Sequence, residues 1–186
     1  MSGADSTTPA ARPPWTASLL PEFGTLMQDF ANPDASVRRA AAMKLGRAVR
    51  ERRDELCTLM PALLSGLADA DADVRWLSAF GLGAGGEPGA VVPALAAALA
   101  DPRPEVRDAA AFSLQFFGDD AAAAVPALLE ALGDRDLGVR ESAGMALLAI
   151  GPASIPGSAE LFSAITRGDR ELPAFARRLR ERLAAN

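Results

Sequence analysis

The sequence contains no histidine and no tyrosine, one cysteine (Cys57), and one lysine (Lys44) against eighteen arginines. Without histidine, His-based catalytic triads, imidazole-ligated zinc sites and imidazole acid–base chemistry are excluded. One cysteine builds neither a thiolate metal cluster nor an internal disulfide, and it suits a reducing compartment. Schiff-base chemistry would rest on Lys44 alone. No phosphate-cradling glycine motif is present; Gly83-Ala84-Gly85-Gly86 reads as a loop-like helix end. Neither a metal nor a cofactor is expected. No apolar run approaches the ~20 residues of a membrane span, and no basic segment followed by an apolar one opens the chain. No membrane partner and a cytoplasmic location are therefore expected. The net charge of −5 gives no overall basic character, so nucleic acid is not an expected partner.

What remains is small and apolar. Some 49% of residues are apolar but only 5% aromatic, so Ala and Leu carry the hydrophobic content. That composition suits closely packed helices rather than sheets. At 186 residues the chain can bury the core of one domain.

Val-Arg recurs in register at Val37-Arg38, Val74-Arg75, Val106-Arg107 and Val139-Arg140, with spacings of 37, 32 and 33 residues. An Asn or Asp stands five positions before each Val (Asn32, Asp69, Asp101, Asp134), and a Leu eight positions after it (Leu45, Leu82, Leu114, Leu147). A fifth pair, Val49-Arg50, has neither neighbour. Self-similarity at this period marks an array of helical repeats. Pro61, Pro93 and Pro126 each open a Pro-Ala-Leu stretch in the first helix of a repeat, and near a helix start proline would cost no hydrogen bond. An Asp/Asn/Pro-rich turn follows, then the Val-Arg helix, whose stripe at 0, +3, +4, +8 and +11 from the Val has a 3.6-residue period.

The Asp-x-x-x-x-Val-Arg core, the Ala-rich helix after it, and the glycine exits (Leu45-Gly46, Leu82-Gly83, Gly118, Gly151) together resemble HEAT-type repeats, in the short bacterial form known from phycobilin-lyase-like proteins. The resemblance covers residues 17 to about 168. It implies an all-α fold: a right-handed α-solenoid of four full repeats (about 17–51, 54–86, 88–118 and 121–151) and a divergent C-terminal cap (153–186). It also implies that the Asp and Arg columns form a structural ladder. Residues 1–15 read as a mobile tail whose Trp15 is available to dock on the first repeat. In the last segment, Ser154–Arg167 reads as a first helix. Leu172, Phe175, Leu179 and Leu183 then form an apolar stripe opposed by Arg177, Arg178, Arg180, Glu181 and Arg182, as expected of a capping helix.

Positions +2, +6 and +9 of each Val-Arg helix point away from the Val stripe. By the resemblance they line the concave side. They hold Arg39, Trp76, Asp108 and Glu141 at +2, Met43, Phe80, Phe112 and Met145 at +6, and Gly46, Gly83, Gln115 and Leu148 at +9, with Phe116 one step beyond. A solvated helix face would carry Glu, Lys, Gln and Arg instead. Arg39, Met43, Arg47, Trp76, Phe80, Phe112, Gln115, Phe116 and Met145 are thus candidate binding-groove residues, with core packing between repeats as the other reading of the +6 column. Between Val37 and Arg53 stand seven cations and one anion, a patch that could grip an anionic group.

Two functions follow. The first is an adaptor that presents this groove to a protein partner. The second is a small metal-free enzyme of bacterial specialised metabolism, performing a lyase- or cyclase-type elimination or ring closure. In it Asp108 or Glu141 would be the catalytic base, raised in pKa by an apolar groove, and Arg39 or Arg47 would hold a small anionic molecule. The resemblance allows both, since HEAT-like proteins are mostly scaffolds but include pigment lyases and glycosylases with a Trp–Asp–Arg set, loosely matched by Trp76, Asp108 and Arg39. Duplex DNA binding ranks last, because Asp108 and Glu141 oppose it. The less polar N-terminal end leaves room for assembly with a second copy or a related HEAT-like chain.

Overall fold

The turn before each Val-Arg helix is built by one side chain. Asn32, Asp69, Asp101 and Asp134 each accept, through Oδ1, the backbone N–H two residues on, at 2.9, 2.8, 2.9 and 2.8 Å. This local bond mimics a backbone turn and ends the preceding helix's reach. Asp71 and Asp136 then cap the helices that follow, accepting from Val74 N and Val139 N at 3.2 Å each.

The computed structural model describes residues 21–51, 56–155, 158–167 and 172–185; the N-terminal tail and Trp15 lie outside them. The chain forms helix pairs: α1 (Pro21–Phe30) with α2 (Ala35–Glu51), α3 (Leu56–Gly66) with α4 (Ala72–Leu82), and α5 (Pro88–Ala98) with α6 (Pro104–Leu114). A 3-10 segment (Gln115–Ala124) leads into α7 (Val125–Ala131), which pairs with α8 (Leu137–Ile150). A short turn (Pro152–Ser154), α9 (Ala159–Arg167) and α10 (Leu172–Ala184) close the chain. Among the described residues there is no strand. The second helices α2, α4, α6 and α8 pack side by side in one row, each backed by its own first helix. The result is an α-solenoid.

Its core runs between the two layers. Leu45, Leu82, Leu114 and Leu147 are fully buried, as are Leu63, Leu95 and Leu128 from the first helices, and Val74, Val106 and Val139 are sealed with them. Each such side chain contributes about 1.5–3 kcal/mol by leaving water.

The Arg column ties repeat to repeat. Arg38 donates to Asp69 from Nε and a terminal nitrogen, at 2.8 and 2.9 Å. Arg75 does the same to Asp101 (2.7 and 3.1 Å) and Arg107 to Asp134 (2.7 and 2.8 Å). The other terminal nitrogen of each guanidinium turns back to its own loop, reaching Asn32 O, Asp69 O and Asp101 O at 2.8–2.9 Å. Arg140 keeps this second half, donating to Asp134 O at 2.8 Å. Each acceptor carboxylate thus takes its own turn's N–H and the previous repeat's guanidinium. The side chain of Asn32 serves the turn alone, which needs an acceptor but no charge.

Three expectations are corrected. Pro61 and Pro93 lie inside α3 and α5, because those helices start earlier, at Leu56 and Pro88. Only Pro126 sits at an α-helix start, because the residues between the Gly118 kink (φ 54°) and Val125 are 3-10 rather than α-helical. Gly46 is no exit, since α2 continues to Glu51. A Cβ on Gly46 would stand 3.4 Å from Gly81 Cα, so the pair lets the α2 and α4 backbones touch. Gly81→Val is accordingly expected to cost about 1–3 kcal/mol by overpacking, read as a lowered urea midpoint with an unchanged slope. A Cβ at Gly81 already meets Gly46 Cα and a Leu63 methyl at 3.1 Å.

The last pair is turned. α10 packs against α7, and Arg180 reaches Glu130 at 2.9 Å, so α10 rather than α9 extends the row of first helices. α9 meets α8 through Ile165, beside Gly144. Ala176 and Leu179 of α10 are buried while Arg177, Arg178 and Glu181 are exposed, apolar inward and charged outward. The basic stretch around α2 is partly neutralised. Arg38 belongs to the ladder, Arg39 donates to Asp73 at 3.0 Å, and Arg47 donates to Glu51 at 2.7 Å.

Candidate functional site

The outer face of the second-helix row carries the +2 and +6 side chains. At +6, Met43 and Met145 are more than half exposed and Phe112 is 38% exposed, while Phe80 is half-buried against the core. At +2, Trp76 is 41% exposed, Asp108 and Arg39 are half-buried, and Glu141 is exposed. Gln115 lies flat, its Nε2 donating to Phe112 O at 2.9 Å. Phe116 is 61% exposed.

Four rings form a continuous strip across two repeats. Trp76 and Phe80 stack one turn apart on α4, with centroids 6.4 Å apart and planes 26° apart. Phe80 stacks on Phe112 of α6 at 5.8 Å and 13°, and Phe112 meets Phe116 edge-on at 5.2 Å and 76°. These are favoured aromatic geometries, each worth roughly 0.5–1.5 kcal/mol beyond area burial. The rings brace one another while leaving apolar surface open to water. Met43 on α2 and Met145 with Leu148 on α8 continue it at either side, all exposed.

Beside the strip, between the N-terminal ends of α4 and α6, is a cleft of about 380 Å³. Trp76 and Val106 form its apolar walls, and Asp73, Glu105, Asp108 and Arg103 its polar ones. Asp108 Oδ1 accepts from Ser142 Oγ at 2.6 Å, which fixes the carboxylate from the neighbouring helix. Arg103 Nε donates to Glu105 at 3.1 Å. That hydrogen bond, with Glu105's own backbone amide, holds the Glu105 carboxyl below its usual range. A second cleft of similar size lies behind, between α5 and α7, where Arg107 and Asp134 are already bound to one another.

The family model of HEAT repeats matches the chain over residues 60–148 and 92–174. The chain belongs to the HEAT-repeat family. No curated protein sequence matches this HEAT-repeat chain. Among solved structures, an engineered protein is similar to it at 22% identity with a TM-score of 0.65, covering 86% of this chain and 78% of that one. The complex of CpcE and CpcF of phycocyanin lyase from Nostoc sp. PCC7120 is similar at 26% identity and a TM-score of 0.62, covering 99% of this chain and 71% of that one. A second engineered protein is 22% identical with a TM-score of 0.61, covering 84% and 46%.

For the HEAT-repeat chain, the structure brings together Trp76, Phe80, Phe112 and Phe116, with Asp108 alongside. Arg39 lies at the cleft's edge, turned to Asp73, and Arg47 stands apart with Glu51. Glu141 is one helix further along. The expected apolar enclosure around the carboxylates is absent for Glu141, which is exposed. Among the described residues no three acidic or cysteine side chains are placed to hold a metal ion, and no helix is long and apolar enough to cross a membrane. Sequence reasoning missed Asp73, Arg103 and Glu105. Their signal was available, because they sit one or three positions before the Val, where the cap of one helix faces the next.

Proposed function

We propose that this HEAT-repeat chain is a non-catalytic binding module that holds a protein partner on the α2–α4–α6–α8 row, with Trp76, Phe80, Phe112 and Phe116 as anchors. The observation that carries this reading is the exposed four-ring strip. A solvated helix face does not call for aromatic surface left open to water, whereas large rings in an apolar patch are the usual centres of binding energy. The similarity to a structure that is itself a complex of two chains supports a partner protein, with a related chain among the candidates. The catalytic reading draws less support. Arg39 and Arg47, the groups meant for an anionic substrate, are already paired with Asp73 and Glu51.

Affinity capture from the source cells tests the proposal, using the wild-type chain beside Trp76→Ala and Phe112→Ala. Both variants are expected to stay folded, losing roughly 0.5–1.5 kcal/mol for the one ring contact of Trp76 and about twice that for the two of Phe112. Both should lose a protein that the wild type retains. Capture of the same proteins by all three, or a bound small molecule in place of any protein, would overturn it.

A further inference from the structure

The face has a charge pattern of its own, and that pattern selects the partner's chemistry. The cleft at Trp76 is lined by three carboxylates, Asp73, Glu105 and Asp108, and one guanidinium, Arg103. Arg103 is bound to Glu105, and the nearest further cation, Arg39, is bound to Asp73. Both of those pairs are exposed and so add little rigidity. Asp108 is different: it is half-buried, held by the Ser142 hydroxyl through one oxygen, and lines the cleft together with the Trp76 ring. An anion entering here would meet an excess of negative charge. A cation would meet a fixed carboxylate and an indole, two groups that attract it by charge and by the ring's quadrupole.

We infer that the partner of this face carries a lysine or arginine side chain beside an apolar helical stripe, with the cation seated in the cleft between Trp76 and Asp108 while the stripe covers the aromatic strip. This rests on the binding-module reading and narrows it. The geometry fits a helix. The +6 row crosses four second helices, and helices packed ~8–10 Å apart place its ends about 25–30 Å from one another. An α-helix of about 20 residues spans that distance. Its apolar positions would meet Met43, Phe80, Phe112 and Met145, and a basic residue on the flank facing the helix N-termini would enter the cleft. The same arrangement discriminates against acidic helices, whose carboxylates would oppose Asp108, Glu105 and Glu141.

A display library of 20-residue helical peptides, randomised on one face, can be selected on the full chain. Enriched peptides are then titrated calorimetrically against wild type, Asp108→Asn, Trp76→Ala and Phe112→Ala. The expected result is enrichment of Lys or Arg next to an apolar stripe, with affinity falling at least about tenfold in each variant. Replacing that peptide cation by norleucine should weaken binding to wild type more than binding to Asp108→Asn, and that difference assigns the cation to Asp108. If binders need Phe112 but tolerate Asp108→Asn and the norleucine change, the cation inference fails and the binding-module reading stands. If no peptide is enriched, or binders ignore Phe112 and Trp76 as well, both fail.

Discussion

Arg75→Ala is expected to destabilise the chain by about 3 kcal/mol, more than any exposed substitution on the same helix, because it strips the partner from a carboxylate that cannot return to water. The Arg75 and Asp101 side chains retain only 13% and 8% of their exposure. Burial alone pushes the Asp101 carboxyl upward. The Arg75 hydrogen bond, the Arg103 backbone amide and the charges of Arg75 and Arg107 together outweigh it and hold the group below the ordinary carboxylate range. Asp69 is lowered against burial in the same way by Arg38, and Asp134 is lowered first of all by its hydrogen bond from Arg107. A carboxyl whose folded value lies below its unfolded value of about 3.9 stabilises the fold above that pH and loses the contribution as pH falls through the folded value. Wild-type stability should therefore drop progressively below about pH 4. Arg75→Ala should start lower at neutral pH and fall less steeply in acid, because one of the three carboxyls, Asp101, loses the hydrogen bond and charge that hold it low. Denaturant unfolding followed by circular dichroism at a series of pH values measures both. Equal acid slopes in the two proteins would contradict the ladder's role.

Leu114→Ala is the second large effect, expected at about 2–5 kcal/mol. Leu114 is fully buried at the end of α6, between the row of second helices and the layer behind it. The backbone around it is fixed by its neighbours, so the space left by truncation cannot close by collapse. Phe112, two residues earlier on the same helix, faces outward, and its loss should act mainly on binding and cost less stability than the loss of Leu114. Side-by-side thermal unfolding of the two variants gives a sharp comparison. If Phe112→Ala proves as destabilising as Leu114→Ala, the strip is core rather than surface.

The contrast between Leu114 and Phe112 also shows which parts of the structure were legible in the sequence. The Val, Arg, Asp and Leu columns could be read because each recurs four times in one phase, and a column that survives repetition must serve something each repeat needs. The two layers and the ladder were implied by the family resemblance that those columns carry. The placement of Pro61 inside α3 could not be read, because it depends on where the helix begins, and a proline ahead of an apolar stretch reads as a helix start in its own right. Gly46 looked like the other exit glycines, and its role appears only when α4 is laid across it. The turned last pair depends on which surfaces α8 and α7 leave open, something no local pattern in α9 or α10 encodes. On the candidate site, the phase of the helix gave the +2 and +6 positions. It could not give the stacking of Phe80 on Phe112, which is set by the close spacing of neighbouring repeats, nor the cleft, whose carboxylates come from the N-terminal turns of two different helices.

Each rung of the ladder has a donor on one side and an acceptor on the other. A block running from Asp101 to Gly133 carries the acceptor for the preceding unit, Asp101, and the donor for the following one, Arg107. Copied in tandem, that block would answer its own ends: the first copy's arginine would find the second copy's aspartate, and no new joint would need to be invented. The array can therefore grow or shrink by whole units through simple gene duplication or deletion, while the outward-facing residues of each copy are free to diverge.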